Sequence, residues 1–353
     1  MRRPCRSRLA LLTCVATIAA ATLAANSIDA TAQVPAAERR QLAQAPFGWL
    51  RKAESTPVAR AQRLRAVSNW GYWLSSFDVE QVVTSPHDLM VVDNGVSANR
   101  RFMRERTADE VARMKRRPDG SARVLLAYLS FGVAERYRAY WRPEWYDPAK
   151  RPFWLGEANP NWDGNYAVQY WQPEWQQLIF GAPESYLDII MAQGFDGVYL
   201  DRADAFFQWE NSRPTARADM ALFVRALADY ARRKNPNFLV VMQNAEELLD
   251  DAKVLDAIDG MAKEDLLYGV DRPEAPNKPQ DVKYSVQQLR IAQAAGRAVL
   301  VVEYLRDPVK MEAAEKLIRA QGFVPYFAPR SLDCLNPPAI PGPTGSLPAH
   351  PCR

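Results

Sequence analysis

Histidine is scarce in this chain, with two residues in 353, His87 and His350. His87 lies just before an apolar run and His350 in a proline-rich tail. A histidine-based metal centre or a Ser-His-Asp hydrolase is therefore poorly supported. An excess of charge of one sign is also missing. Lys+Arg 45 against Asp+Glu 41 leaves a formal charge of +4, and no long basic run occurs, which argues against a nucleic-acid partner. A glycine-rich phosphate loop is lacking after the first apolar run, which weakens any dinucleotide-binding reading. Beyond the N-terminus no stretch approaches the ~18 apolar residues that a membrane-spanning helix needs. Cysteine is sparse too, at four residues.

What is present begins with an N-terminus that reads as an export signal rather than as part of the fold. Residues 1–32 run from a basic "MRRPCRSR" through the small-residue apolar "LALLTCVATIAAATLAA" to "ATA" before Gln33. This is the pattern of a secretory signal peptide, with an uncleaved anchor as the alternative. Cys14 lies inside the apolar run behind Thr13, which argues against a lipoprotein cysteine, and Arg2-Arg3 lacks the rest of a twin-arginine context. The expected location is secreted or periplasmic, with no stable membrane insertion after cleavage. Cleavage would leave Cys334 and Cys352, and an even pair in an exported chain predicts one disulfide across the Pro-rich tail, residues 331–353. A loop of that size would contribute roughly 3 kcal/mol.

The body of the chain is rhythmic. With 48% hydrophobic and 24% charged residues it can build a packed core. Residues 33–67 are polar and read as a linker or a peripheral helix. From 68 to 330, eight short apolar runs follow one another: 70–77, 88–94, 123–132, 197–204, 238–244, 258–269, 298–305 and 323–328. Helical stretches lie between several of them. "TADEVARMKRR" opens with a capping box, Thr107 to Glu110, and "ADMALFVRALADYARRKNP" stops at Pro236. "VKYSVQQLRIAQAAG" and "VKMEAAEKLIRAQG" both end in Gly. Alternating strands and helices predict an α/β fold with a parallel sheet. Eight units in this length predict a (β/α)8 TIM barrel, with an open doubly wound sheet as the alternative.

Acids and amides gather where barrel strands end, which is where this fold puts its chemistry. They are Asp93, Glu135, Asp201, Gln243, Asn244, Glu246, Glu264 and Glu303. Alternation in the fourth run puts Val198 and Leu200 on one face and Gly197, Tyr199 and Asp201 on the other, so Asp201 is expected to point inward at the rim. Asp204 reads as a cap or supporting group, and Asp196 lies at the wrong end of the strand. Carboxylate pairs without histidine fit glycoside hydrolysis, where one carboxyl protonates the leaving oxygen and the other attacks the sugar or activates water. That chemistry needs no metal and no organic cofactor. The stretch 133–175 holds six of the ten tryptophans, Trp141, Trp145, Trp154, Trp162, Trp171 and Trp175. It is a long aromatic-rich loop after the third strand, able to stack on sugars or to form a satellite core.

The ordered motifs "YLSFGVAERYRAYW", "GFDGVYLDRADAF", "MQNAEELL", "KEDLLYG" and "VVEYL" resemble glycoside hydrolase family 114, the endo-α-1,4-polygalactosaminidases and their relatives. The resemblance covers about residues 68–330. It implies a (β/α)8 barrel, usually exported, acting on α-1,4-linked amino-sugar polymers. It also implies Asp201 as nucleophile or water-activating base and Glu264 as general acid. Asp93, Tyr128, Glu135, Gln243, Asn244, Glu246, Glu303 and Tyr304 match other motif positions, which would bind sugar or hold the pair. Val133 stands where the family form "ISIGEAE" has an acid, a departure that bears on a substrate contact and leaves the pair intact. The expected partner is a polysaccharide. The competing readings are a non-catalytic carbohydrate-binding barrel and a structural domain whose inward acids are tied to cations such as Lys263 or Arg202.

Overall fold

The computed structural model describes residues 56–97, 103–342, 346–349 and 351–352. The expected signal peptide, most of the segment before the first helix, and His350 lie outside the described residues. Within them, eight parallel strands form one sheet in sequence order. They are β1 (Trp70–Trp73), β2 (Leu89–Val92), β3 (Val124–Ser130), β4 (Gly197–Asp201), β5 (Leu239–Gln243), β6 (Gly260–Glu264), β7 (Ala298–Glu303) and β8 (Val324–Phe327). That order rules out the doubly wound sheet, whose strand order reverses at its middle. All eight apolar runs contain a strand. β8 returns beside β1, and the Trp70 indole N–H donates to the Val324 carbonyl at 3.0 Å across the seam.

The helices start and stop for local reasons. Ala108–Met114 carries the expected capping box: Glu110 N–H donates to the Thr107 hydroxyl at 3.2 Å, and Thr107 N–H to the Glu110 carboxylate at 2.7 Å. Ala216–Lys234 ends just before Asn235 and Pro236. Pro57–Arg65 is capped by Thr56 and begins with a proline, so the segment 33–67 ends in a peripheral helix. Leu64 and Val67 join the cluster inside the barrel, so this helix seals its lower end. Arg60, buried beneath it, pairs with Asp259 at 3.0 Å.

Strand alternation divides the core in two. Trp70, Tyr72, Leu126, Tyr199, Val241, Leu300 and Tyr326 fill the barrel. Val198, Leu200, Val240, Met242, Met261 and Val301 face the helices. The excursion after β3 is more than a loop, since it folds a three-stranded antiparallel sheet from Val133–Glu135, Leu155–Ala158 and Asn165–Val168. Its aromatics pack mainly on one another. Trp145, Trp154 and Trp175 are buried, with Trp145–Trp154 and Trp154–Trp175 ring centroids 5.3 and 5.4 Å apart. Trp141 and Trp171 are half-buried against the same core, and Trp162 is exposed. The satellite-core reading therefore accounts for most of these rings.

Candidate active site

Asp201 closes β4, with Tyr199 below it inside the barrel. The chain then turns sharply, with Arg202 at φ 68°. Similar turns follow β5, at Asn244 (φ 55°) and Ala245 (φ 53°), and β6, at Asp265 (φ 50°). Left-handed conformations are unfavourable for residues with a Cβ, and such strain collects at functional sites. Here it swings the backbone away at three adjacent strand ends, leaving Asp201, Gln243 and Glu264 at the mouth. Gly132 is needed just past the neighbouring strand β3, because a Cβ there would lie 2.0 Å from the Arg202 carbonyl oxygen.

Each carboxylate is held by two donors. Asp201 accepts from the Tyr128 hydroxyl at 2.6 Å and from the Arg202 backbone N–H at 2.8 Å. Glu264 accepts from the Asn244 side-chain amide at 3.0 Å and from the Tyr304 hydroxyl. The Glu264 N–H donates back to the Asn244 side-chain oxygen at 3.1 Å, fixing the strand end. Between them, the Tyr72 hydroxyl reaches Gln243 at 3.4 Å. Asp201 and Glu264 both remain partly exposed.

Burial, followed by the negative charge of Glu264, pushes the Asp201 carboxyl up to about 7. The Tyr128 hydrogen bond and Arg202 oppose that rise. Burial foremost raises the Tyr72 and Tyr199 phenols, and each also senses both Asp201 and Glu264. The two carboxylates thus border one shared site.

The remaining sequence candidates divide by position. Tyr128, Gln243, Asn244 and Tyr304 surround the pair. Asp93 and Glu135 flank the buried Arg138, at 2.8 and 2.5 Å. The Arg138 guanidinium lies 5.7 Å from the Tyr128 ring centre, so this cluster backs the residue that holds Asp201. Glu246 is turned to the helix side, where Lys263 (3.0 Å) and the Ser285 hydroxyl (2.6 Å) bind it. Glu303 is fully buried and accepts from the Leu267 and Tyr268 N–H groups at 2.7 and 3.3 Å. Burial lifts its carboxyl to about 8. Glu246 and Glu303 therefore support loops and do not meet the carboxylate pair. Asp204 sits in the turn after β4, 3.2 Å from Arg202. Lys263 and Arg202, the cations of the structural-domain reading, are thus spent on Glu246 and Asp204.

Sequence reasoning missed Arg330, which stands over the Tyr304 ring at 4.3 Å. It follows the end of β8, so the strand-end rule could have found it had bases been searched along with acids. A surface cleft of about 480 Å³ beside Lys115, Gln193 and Gly194 opens at the opposite end of the strands and holds none of the strand-end candidates.

The family model for Glycoside-hydrolase family GH114 matches residues 52–338. The chain belongs to family GH114. The match spans all eight strands and both members of the carboxylate pair. By sequence this GH114 chain is similar to an uncharacterised protein of Deinococcus radiodurans, 38% identical over 79% of this chain and 86% of that protein. It is also similar to the uncharacterised protein MJ1477 of Methanocaldococcus jannaschii, 37% identical over 76% and 78% of the two chains. In fold it is similar to the glycoside hydrolase domain of PelA from Pseudomonas aeruginosa, with TM-score 0.58 and 19% identity over 76% and 97% of the two chains. It is similar as well to a MutB mutant in complex with the substrate sucrose, with TM-score 0.51 and 9% identity over 75% and 65% of the chains. At these identities the structural likeness speaks for the barrel alone. Family membership makes glycoside hydrolysis the chemistry against which the pair is read.

Proposed function

We propose that this chain is an exported glycoside hydrolase that cleaves an α-linked, galactosamine-type polysaccharide by a two-carboxylate mechanism. The observation that carries the reading is the pair Asp201 and Glu264, facing one site from the ends of β4 and β6. In this reading Glu264 gives a proton to the glycosidic oxygen as the bond to the anomeric carbon breaks. Asp201, ionised, attacks that carbon or takes a proton from an attacking water. Asp201 reaches that ionised form as pH climbs to about 7, where burial and Glu264 hold its carboxyl. Tyr128 and the Arg202 N–H stabilise Asp201 in its ionised form. Activity should rise as pH climbs to about 7, as Asp201 ionises.

The motif set shared with polygalactosaminidases supports the choice of sugar. Export is supported by the leader-like N-terminus and the Cys334–Cys352 disulfide. Among the described residues no helix is long and apolar enough to cross a membrane. The test is incubation with galactosamine and glucosamine polymers, acetylated and de-acetylated, followed by mass spectrometry. Shorter oligomers should appear from one polymer class. Asp201→Asn and Glu264→Gln should each reduce the rate by about 10²–10⁴-fold. Full activity in either variant would sink the assignment, and binding without product release would favour the non-catalytic barrel.

A further inference from the structure

We propose that Arg330 is a positioning residue for Glu264, acting through the ring of Tyr304. The inference rests on the catalytic reading of Glu264 given above. Arg330 lies three residues beyond the end of β8, outside the carboxylate pair, yet its contacts lead back to it. Its terminal Nη2 donates to both oxygens of Asp265, at 2.7 and 2.9 Å. Asp265 directly follows Glu264 and holds the left-handed turn that ends β6. The Arg330 guanidinium carbon stands 4.3 Å from the Tyr304 ring centre, and the Tyr304 hydroxyl donates to Glu264. The circuit from Glu264 through Asp265, Arg330 and Tyr304 therefore closes on itself across the ends of β6, β7 and β8.

Each step has a physical purpose. A tyrosine ring can swing on its side-chain torsions, and a planar cation on its face restricts that swing. The anchor of the cation is itself anchored. The Leu74 and Ser75 N–H groups donate to the Leu332 carbonyl, both at 2.9 Å, and this ties the segment carrying Arg330 to the end of β1. Gly269 leaves the needed space, since a Cβ there would lie 2.4 Å from Asp265 Oδ1 and 3.1 Å from the Arg330 nitrogen. Arg330 is itself substantially exposed at the rim. A salt bridge this open to solvent adds little stability by itself, so orientation of Tyr304 is the effect with consequence.

The test compares Arg330→Met, Tyr304→Phe and the double variant on a polymer that the wild type cleaves. Each single change should lower kcat about 10–100-fold with KM within about twofold, as small misplacements of a reacting group do. Because Arg330 acts through Tyr304, the double variant should be no slower than the slower single one. Losses that multiply would overturn the inference. The crystal structure of Arg330→Met gives a readout independent of turnover. The Tyr304 hydroxyl should have left Glu264, and an unmoved pair overturns the inference whether or not any polymer is cleaved. A displaced Tyr304 in a protein whose wild type cleaves nothing would strike the catalytic reading alone. Should Arg330→Met fail to fold, Arg330→Lys keeps the charge without the planar face and carries the same comparisons.

Discussion

Asp201 is a group the fold holds against its own ionisation. Its ordinary value of 3.8 rises to about 7, chiefly through burial. The folded protein therefore keeps a proton that the unfolded chain releases. Its contribution to stability is present below the ordinary value, is lost as pH climbs to about 7, and is flat above that. Asp201→Asn removes the titration. The variant should unfold at a higher temperature than the wild type at pH 8 and gain little at pH 4. Equal gains at both pH values would count against the burial described here. Such a gain, at the expense of activity, is the usual trade at a site that carries strain. The inward direction of Asp201 was legible in sequence, because alternation in a five-residue strand leaves no choice of face. Its proton was not legible, because that depends on burial in the folded barrel and on Glu264 arriving from another strand.

Parity misses nothing at the level of the element when it is applied to every strand. Glu303 shows what happens when it is not. In β7, Ala298, Leu300 and Val302 belong to the cluster inside the barrel. Val299 and Val301 belong to the helix side, and Glu303 follows their parity. A strand-end acid there was bound to face outward, where it receives the backbone of the loop after β6. Glu246 escaped that test for another reason, since it lies in the short 3-10 turn Glu246–Asp250, where alternation does not hold. Glu303→Ala would leave two N–H groups without their acceptor and should destabilise the protein by roughly 2–4 kcal/mol. Glu303→Gln keeps an acceptor oxygen in nearly the same shape and should lose less than half as much. Urea unfolding of the two variants distinguishes this from a sugar-binding role, which predicts changes in substrate affinity with stability intact.

The whole molecule depends on closing a seam. Seven connections between strands carry a helix among the described residues, but none follows β8. The tail takes that place. Asn336 donates its side-chain amide to the Phe327 carbonyl at 3.1 Å, and its side-chain oxygen accepts from the Cys352 N–H at 3.0 Å. Cys334 and Cys352, 18 residues apart in sequence, are bonded as the composition predicted. Reduction, or Cys334→Ser with Cys352→Ser, should lower stability by roughly 2–4 kcal/mol. Thermal unfolding with and without reductant checks this, and an unchanged midpoint would show that the tail closes the seam without its staple.

The sequence by itself determined the eight strands, their order, the inward face of β4 and the disulfide pair. Those features follow from local rules: turn chemistry, side-chain alternation and the even pair of cysteines outside the expected leader. Only the tertiary structure decided which strand-end acids meet. Asp201 and Glu264 converge because β4 and β6 both flank β5, while Glu246 is drawn to the helix side by Lys263. It also brought Arg330 to Tyr304 and turned most of the aromatic stretch into its own core. Each of these contacts joins residues far apart in the chain, and no local pattern encodes which distant partner a side chain will find.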